Sequence, residues 1–299
     1  MNRIVFISVF LICLFIYTHI RYHIKKVNDL DIYDMGQLNK EKLEEVCRLK
    51  QPVTFIINDN DIETEFSLTN MTQKYPDMRM NVHHSTEIPL EVSIQELNRL
   101  IKQSGYTSYN NIEITKDPVI IKQLERLNNF LSPPLTIYKS YDLWIGGSDA
   151  LIKDKQHNYY RQYIYITNGY IECMLTTPDG SKRQSIVVNQ SEILFIPPYW
   201  TYDITFKKTA FICVYRFDTV FSILTRLPKL CMDYIDNKQE VQYALKTKPL
   251  EPKLKTINKD IDKVNDVSSS SHKDEGGHDT SCKKRKKRKK RKSKTDASK

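Results

Sequence analysis

From Asp142 to Phe217 the chain alternates apolar and polar positions in short runs: DLWIG, YYRQYIYIT, YIECMLTT, RQSIVV, EILFI, YDITF and TAFICVYRF. The runs are broken at Asn168-Gly169, Pro178-Asp179-Gly180, Asn189-Gln190 and Lys207-Lys208. A period of two closed by turn residues predicts seven short strands with tight connections. Upstream the period lengthens. SIQELNRLIKQSG offers Ser93 and Glu96 as a capping box, Ile94, Leu97, Leu100 and Ile101 as one apolar face, and Gly105 as the C-cap. A second helix is predicted from Asp117 as N-cap and Pro118 at the first helical position, with Ile121, Leu124, Leu127 and Phe130/Leu131 inward and Pro133-Pro134 as the stop. LNKEKLEEVCRLK reads as a short helix feeding a strand over Val53–Ile57, and residues 58–88 read as a long polar surface excursion holding at most a short strand. Helical periodicity returns over 218–246, with Asp218 as N-cap, a break at Pro228 and a further helix over Gln239–Leu245. Strands preceded by helices predict a mainly β fold with flanking helices, an antiparallel sandwich or barrel of jelly-roll type.

The two ends follow other patterns. Ile4 to Ile20 is apolar apart from Ser8, Tyr17, Thr18 and His19. Seventeen helical residues cover about 25 Å, just short of a ~30 Å hydrocarbon core. No small-residue cleavage site follows; YTHIRYHIKK has the amphipathic, basic character of a membrane interface, which favours an uncleaved anchor over a signal peptide. Arg21, Lys25 and Lys26 outnumber Arg3 and the terminal amine, so the expected topology is single-pass with the body on the cytoplasmic side, in a host or virion membrane. Beyond Lys248 the chain turns polar, and such a segment buries too little apolar surface to offset its conformational entropy, so disorder is expected.

Charge separates tail from fold. The formal net charge is +10, but ten cations stand in one run, Lys283, Lys284, Arg285, Lys286, Lys287, Arg288, Lys289, Lys290, Arg291 and Lys292, and the rest holds 36 basic and 36 acidic residues. A polycation on a flexible tether binds polyanions in a salt-sensitive way, so nucleic acid or an acidic membrane face is its expected partner; nuclear import and simple solubility are the other readings. The six cysteines, at 13, 47, 173, 213, 231 and 282, form no C-x-x-C pair and no cluster of zinc spacing, and read as reduced thiols, with Cys173 and Cys213 as small buried hydrophobes.

One stretch of the strand region is more specific. The order LWIGG, a polar loop, QYIYITNG, LTTPDG and SEILFIPPYW, with KQPVTFI upstream, resembles the Jumonji-C/cupin-8 group of the cupin superfamily, over residues 43–225. Leu143-Trp144-Ile145-Gly146-Gly147 and Ile196-Pro197-Pro198-Tyr199-Trp200 carry the resemblance. It implies a cupin-type double-stranded β-helix in which catalytic members hold Fe(II) through a His-x-Asp/Glu pair and a distal His, with 2-oxoglutarate alongside. Two imidazoles and a carboxylate on one face suit ferrous iron and leave positions for cosubstrate and oxygen.

This sequence departs from that pattern. The distal position falls on Tyr202. For the first pair two registers are open: one places Ile152 at the His and Asp154 at the acid, the other Gln156 and Asn158. The inner-strand Lys expected after Gly169 is replaced by Tyr170 and Ile171. A rearranged site from Asp154, His157 and one of His83 or His84 is the remaining metal reading; otherwise His157 reads as a solvated loop residue and Asp154 as a surface charge. A phenol must lose a proton near pH 10 to coordinate well, so Tyr202 is a poor ferrous ligand.

The expected organisation is therefore an anchor over 1–22, a juxtamembrane linker over 23–42, a cupin-like domain over 43–225, a helical extension over 226–248 and a disordered tail over 249–299. Neither metal nor cofactor is expected, and Trp144, Tyr163, Tyr165, Trp200 and Tyr202 are the candidate pocket lining of a non-catalytic binding or structural module. The alternatives are an Fe(II)- and 2-oxoglutarate-dependent oxygenase acting on a protein side chain, and a membrane tether for nucleic acid. With only four alanines and abundant Lys, Asn, Ile and Tyr, the composition and layout would suit a large DNA virus of eukaryotes.

Overall fold

The computed structural model describes residues 2–84, 89–111 and 117–227. By its contacts the chain divides into two units, Met1–Thr247 and Lys248–Lys299, and all the described residues fall in the first. The expected helix at 239–245, the tail with its basic run, Cys231 and Cys282 lie outside the described residues.

Within the first unit, helix α1 (Asn2–Ile24) leads to β1 (Tyr33–Gln37), α2 (Lys40–Arg48) and β2 (Val53–Ile56). Then come α3 (Asn60–Glu65), α4 (Leu68–Lys74), β3 (Arg79–His84), β4 (Leu90–Ser93), α5 (Ile94–Leu100), β5 (Tyr106–Ser108), α6 (Pro118–Leu124) and α7 (Asn128–Leu131). Eight strands close the fold: β6 (Thr136–Gly146), β7 (Leu151–Gln156), β8 (Arg161–Asn168), β9 (Tyr170–Thr176), β10 (Arg183–Asn189), β11 (Glu192–Ile196), β12 (Thr201–Phe206) and β13 (Ala210–Thr219). A helical segment over 220–227 follows.

The strands form a nine-stranded sheet, ordered β1-β2-β11-β8-β13-β6-β5-β3-β4, and a four-stranded sheet, ordered β10-β9-β12-β7. The pairing of β1 with β2 is parallel; the rest are antiparallel. Alternation along each strand divides the buried residues between two cores. Ile164, Ile166, Ile212 and Val214 of the large sheet meet Ile152, Ile171, Leu175 and Ile204 of the small one. On the opposite face of the large sheet, Leu143, Ile145, Phe195, Phe211 and Phe217 meet Leu43, Val46, Leu97, Leu124 and Leu131 from the helices. The small sheet has no such helical cover in that cluster: β9 and β12 alternate buried with half-buried positions, and β10 is exposed along most of its length.

All seven expected strands are present. An eighth, β7, was not read from the sequence: Lys153, Asp154 and Lys155 mask its period, and as an edge strand with exposed outward positions it carries charge where an inner strand could not. The polar excursion over 58–84 holds α3, α4 and β3, each brief enough for capping by Asp59 and Ser67 to outweigh apolar periodicity as the helix signal. The capping box of Ser93 and Glu96 and the Asp117-Pro118 start are as expected. Two details differ. Gly105 is not the C-cap of α5, which ends at Ile101; it sits at φ +90° in the turn into β5. α6 buries Ile120 and Leu124, not Ile121, because Ile120 stands one turn before Leu124 on the same face.

Asp218 is also not an N-cap. β13 continues through Thr219, whose hydroxyl accepts the Ser222 N–H at 3.3 Å, while the Ser222 hydroxyl accepts the Thr219 N–H at 2.8 Å. Gly146 and Gly147 of the LWIGG motif are packing glycines: a Cβ on Gly146 would lie 2.3 Å from the Phe206 ring, and one on Gly147 would lie 2.5 Å from the Ile101 carbonyl oxygen.

Among the described residues Arg3–Ile24 is the one helix long and apolar enough to cross a membrane, a property shared with signal sequences. Its C-terminal end is tied to the body. Lys50, at φ 56° just past α2, sends its ammonium to the carbonyls of Tyr22, His23 (3.2 Å) and Lys25 (3.0 Å). These are carbonyls that the end of a helix leaves without intrahelical donors, and a cation there also complements the helix dipole. The His23 ring packs edge-on to Tyr160 at 4.7 Å.

Candidate functional site

The inner face of the large sheet turns polar at one end. By alternation Asp142 and Trp144 of β6, Gln162 of β8 and Arg216 of β13 point between the sheets, amid residues that are otherwise aliphatic. Register brings them together: Arg216 pairs with Gln162 across β13 and β8, and Val214, two residues before it, pairs with Asp142. Across the gap, Tyr202 of β12 is 3% exposed and faces them.

A continuous hydrogen-bonded chain results. Gln162 Nε2 donates to the Tyr202 hydroxyl at 2.7 Å, Arg216 Nε donates to Gln162 Oε1 at 3.3 Å, and an Arg216 terminal nitrogen donates to Asp142 Oδ2 at 3.2 Å. The same carboxylate accepts Trp144 Nε1–H at 2.7 Å through Oδ2 and the Asn111 N–H at 2.7 Å through Oδ1. Asn111 is held in turn by Ser108 Oγ and the Leu143 carbonyl. A buried carboxylate with these donors and a guanidinium is charge-compensated, which is the condition for leaving it ionised inside a fold.

A second pair adjoins the first. Asp218 accepts from Arg226, from the Tyr160 N–H at 2.9 Å and from Ser222 Oγ at 2.9 Å. The Tyr159 ring lies 4.0 Å from the Arg226 guanidinium carbon and 5.6 Å from that of Arg216. It thus contacts both cations through its π face.

His157 is not the solvated residue its loop position suggests. It is buried, with Nε2 3.0 Å from the Ile196 carbonyl oxygen, while its own carbonyl accepts the Tyr199 N–H at 2.8 Å. The imidazole and its backbone therefore pin the Pro197-Pro198-Tyr199-Trp200 corner. Gln156 Nε2 adds a third tie, to the Tyr199 carbonyl at 2.9 Å, and Tyr199 holds a φ of 71°. Burial, aided by Arg216, lowers the His157 pKa to about 3, so the ring is neutral at physiological pH. Burial pushes the Tyr202 phenol up to about 12, with Arg216 and the Gln162 hydrogen bond opposing it. Neither the His157 imidazole nor the Tyr202 phenol is thus poised near pH 7.

The residues singled out from the sequence are divided by the fold. Trp144, Trp200 and Tyr202 belong to the core between the sheets. Tyr163 and Tyr165 point to the opposite, helix-covered face and belong to the other core. Tyr163 lies beside Arg161, which is ion-paired with Glu44 of α2, and the Tyr165 hydroxyl donates to Glu63 Oε1 at 3.1 Å. Adjacent odd and even positions of one strand face opposite ways, so the five aromatics line no common pocket.

Of the positions the resemblance assigns to the first ligand pair, Ile152 points into the core, Asp154 and Gln156 are exposed, and Asn158 is half-buried. The Asp154 N–H donates to Asp203 Oδ1 at 2.7 Å. His83 stacks on Tyr109 and His84 on Tyr106, away from any shared ligand geometry with His157. Among the described residues no three His, Cys, Asp or Glu side chains are grouped so as to hold a metal ion. Cys47, Cys173 and Cys213 are buried free thiols, and burial raises all three, Cys47 to about 11.

Asp142, Gln162 and Arg216 were not anticipated. Each is a polar residue at an inward position of an apolar alternating run, in YDLWIG, RQYIYI and FICVYRF, and that mismatch is the signal by which they were detectable. No family model matches this chain, and no curated protein matches it.

Proposed function

We propose that this protein is a membrane-anchored, non-catalytic binding or structural module of cupin type, in which a polar network stands where Jumonji-type relatives hold iron. The strand order supports the cupin part. Counting β6 to β13 as one to eight, the large sheet contains six-three-eight-one side by side and the small sheet five-four-seven-two, all antiparallel. That order agrees with a jelly roll built from two interleaved Greek keys.

The observation that carries the functional reading is the state of Tyr202. Its hydroxyl is the acceptor at one end of a chain running through Gln162 and Arg216 to Asp142, and its proton is held well above physiological pH. Coordination would require loss of that proton. The surrounding charges are already committed to one another, and the His157 imidazole faces a carbonyl of the corner that it supports. The residues present therefore do not fit a ferrous centre with open coordination positions, and the reading assigns the Pro-Pro-Tyr-Trp corner to rigidity.

The test is iron content and 2-oxoglutarate decarboxylation of the full chain, purified in detergent and incubated anaerobically with Fe(II) before oxygen is admitted. Substoichiometric iron and no decarboxylation above the protein-free control is the expected result. One iron per chain with turnover would overturn the reading and favour the oxygenase alternative.

A further inference from the structure

The segment over 220–227 is a helix turned inside out. Ser222 and Arg226 are its buried residues, at 3% and 7% exposure, whereas Val220, Leu224 and Leu227, spaced four and three apart on one face, are 41%, 44% and 45% exposed. A surface helix of a water-soluble domain places its apolar stripe inward. Beside it, Leu135, Ile137 and Tyr138 at the start of β6 are 68%, 59% and 43% exposed. The two groups are contiguous, because Thr136 pairs with Thr219 and Tyr138 with Asp218 at the point where β13 enters the helix. Leu135, the most exposed of them, moreover holds a φ of 61°, a left-handed conformation costly for a leucine.

One edge of this patch meets the base of α1. Phe221 packs against Phe15 at 5.7 Å and His19 at 4.6 Å, and Leu135 and Phe221 share with Tyr22 and Arg48 the wall of an open groove of about 560 Å³ between α1 and the body. At a rise of about 1.5 Å per residue, Phe15 and His19 lie roughly 8–14 Å back from Ile24 along the helix axis. That is the depth of the headgroup and upper acyl region for a helix that spans a bilayer of ~30 Å hydrocarbon core.

We propose that the fringe formed by Leu135, Ile137, Tyr138, Val220, Leu224 and Leu227 is a membrane-seating surface, immersed in the interface of the phospholipid bilayer that α1 enters. The body then rests against the membrane in one orientation and does not swing on a linker. Lys50, by fastening the end of α1 to the body, keeps the fringe and the anchor in register. The bilayer is the occupant because the patch is continuous with an exposed apolar helix of spanning length. The surface rests on α1 being inserted, so the test must register insertion separately.

Both native tryptophans are buried between the sheets, so added ones report their own surroundings. Full-length chain is reconstituted into phosphatidylcholine vesicles containing lipids brominated along the upper acyl chain, with single changes Leu224→Trp, Ile137→Trp, Phe10→Trp and, on the distant small sheet, Val187→Trp. An interfacial element buries its apolar side by about 5–10 Å, within reach of those bromines. The expected result is loss of most of the added emission at 10, 137 and 224 and none at 187. Quenching at 10 without quenching at 137 and 224 overturns the seating surface while leaving the anchor intact. No quenching at 10 overturns the anchor, and the seating surface with it. Shielding of 137 and 224 without bromine quenching, together with a cross-linkable dimer, identifies a second copy as the occupant and also overturns the proposal.

Discussion

Replacing Asp142 by Asn tests whether the interior polar network is held together by charge. The carboxylate is fully buried, its Arg216 partner is 9% exposed, and the contact is 3.2 Å, so solvent screens little of the interaction. At an effective dielectric of about 20 the attraction at that separation is about 5 kcal/mol. Removing one member of a buried pair costs about 3–5 kcal/mol, since the remaining charge stays desolvated. The amide that replaces the carboxylate must also turn an NH₂ toward one of the donors now served by an oxygen, Trp144 Nε1–H and Arg216 on one side or the Asn111 N–H on the other. Asp142→Asn is therefore expected to destabilise by about 3–5 kcal/mol, a large share of the ~5–15 kcal/mol typical of a domain. With a urea slope of about 2 kcal/mol per M, the midpoint falls by about 1.5–2.5 M. The assay is urea unfolding of the full chain in detergent, followed by fluorescence of Trp144 and Trp200, which both lie in this core. Arg216→Met and the double variant complete a cycle with an expected coupling of about 2–3 kcal/mol. A loss below about 1 kcal/mol for Asp142→Asn, with additive single effects, would refute the charge-paired network.

His157 gives a pH dependence of known sign. Its folded pKa near 3 lies below the ordinary 6.5, so the unfolded chain takes up the proton first. The contribution is whole above pH 6.5 and is lost as pH falls toward 3, amounting to about 2 kcal/mol at pH 5. His157→Gln should remove that slope in stability measured against pH; an unchanged slope would show the imidazole to be solvated. Thiol labelling of the native chain should modify Cys47, Cys173 and Cys213 only after denaturation, because all three are buried with raised pKa; rapid native labelling of Cys173 would contradict the packing of the two sheets. Deleting residues 283–292 should abolish retention on immobilised nucleic acid at low salt and leave the unfolding midpoint unchanged, and retained binding would remove the tail from that role.

How far the sequence disclosed this structure depended on the range of the signal. Ser93 with Glu96, and Asp117 with Pro118, set helix starts through contacts within three residues, and both are legible in the chain. The seven strands were legible because one face of each meets a core. β7 was not, because an edge strand can carry lysines through its middle. β1 falls within the expected linker over 23–42 and is not legible as a strand, since its pairing with β2 depends on a parallel contact across an intervening helix. Tyr202 was identified from its spacing after Trp200, but its role was not, because that depends on Gln162 across two sheets. Asp142 and Arg216 are 74 residues apart in sequence, and only the antiparallel register of β6 and β13 makes them partners. The error over Tyr163 and Tyr165 is of the same kind. Aromatic content is visible in the sequence, whereas the face follows from the parity of each position relative to Gln162 and Ile164, which point between the sheets.

The central claim is that Tyr202 stands at the corner as a neutral phenol within a committed network, not as a metal ligand. The most direct test is the visible absorption spectrum of the full chain loaded with Fe(II) anaerobically and then oxidised by air. A phenolate bound to ferric iron gives a charge-transfer band, and the account predicts that none develops. A stoichiometric band that disappears in Tyr202→Phe would contradict it.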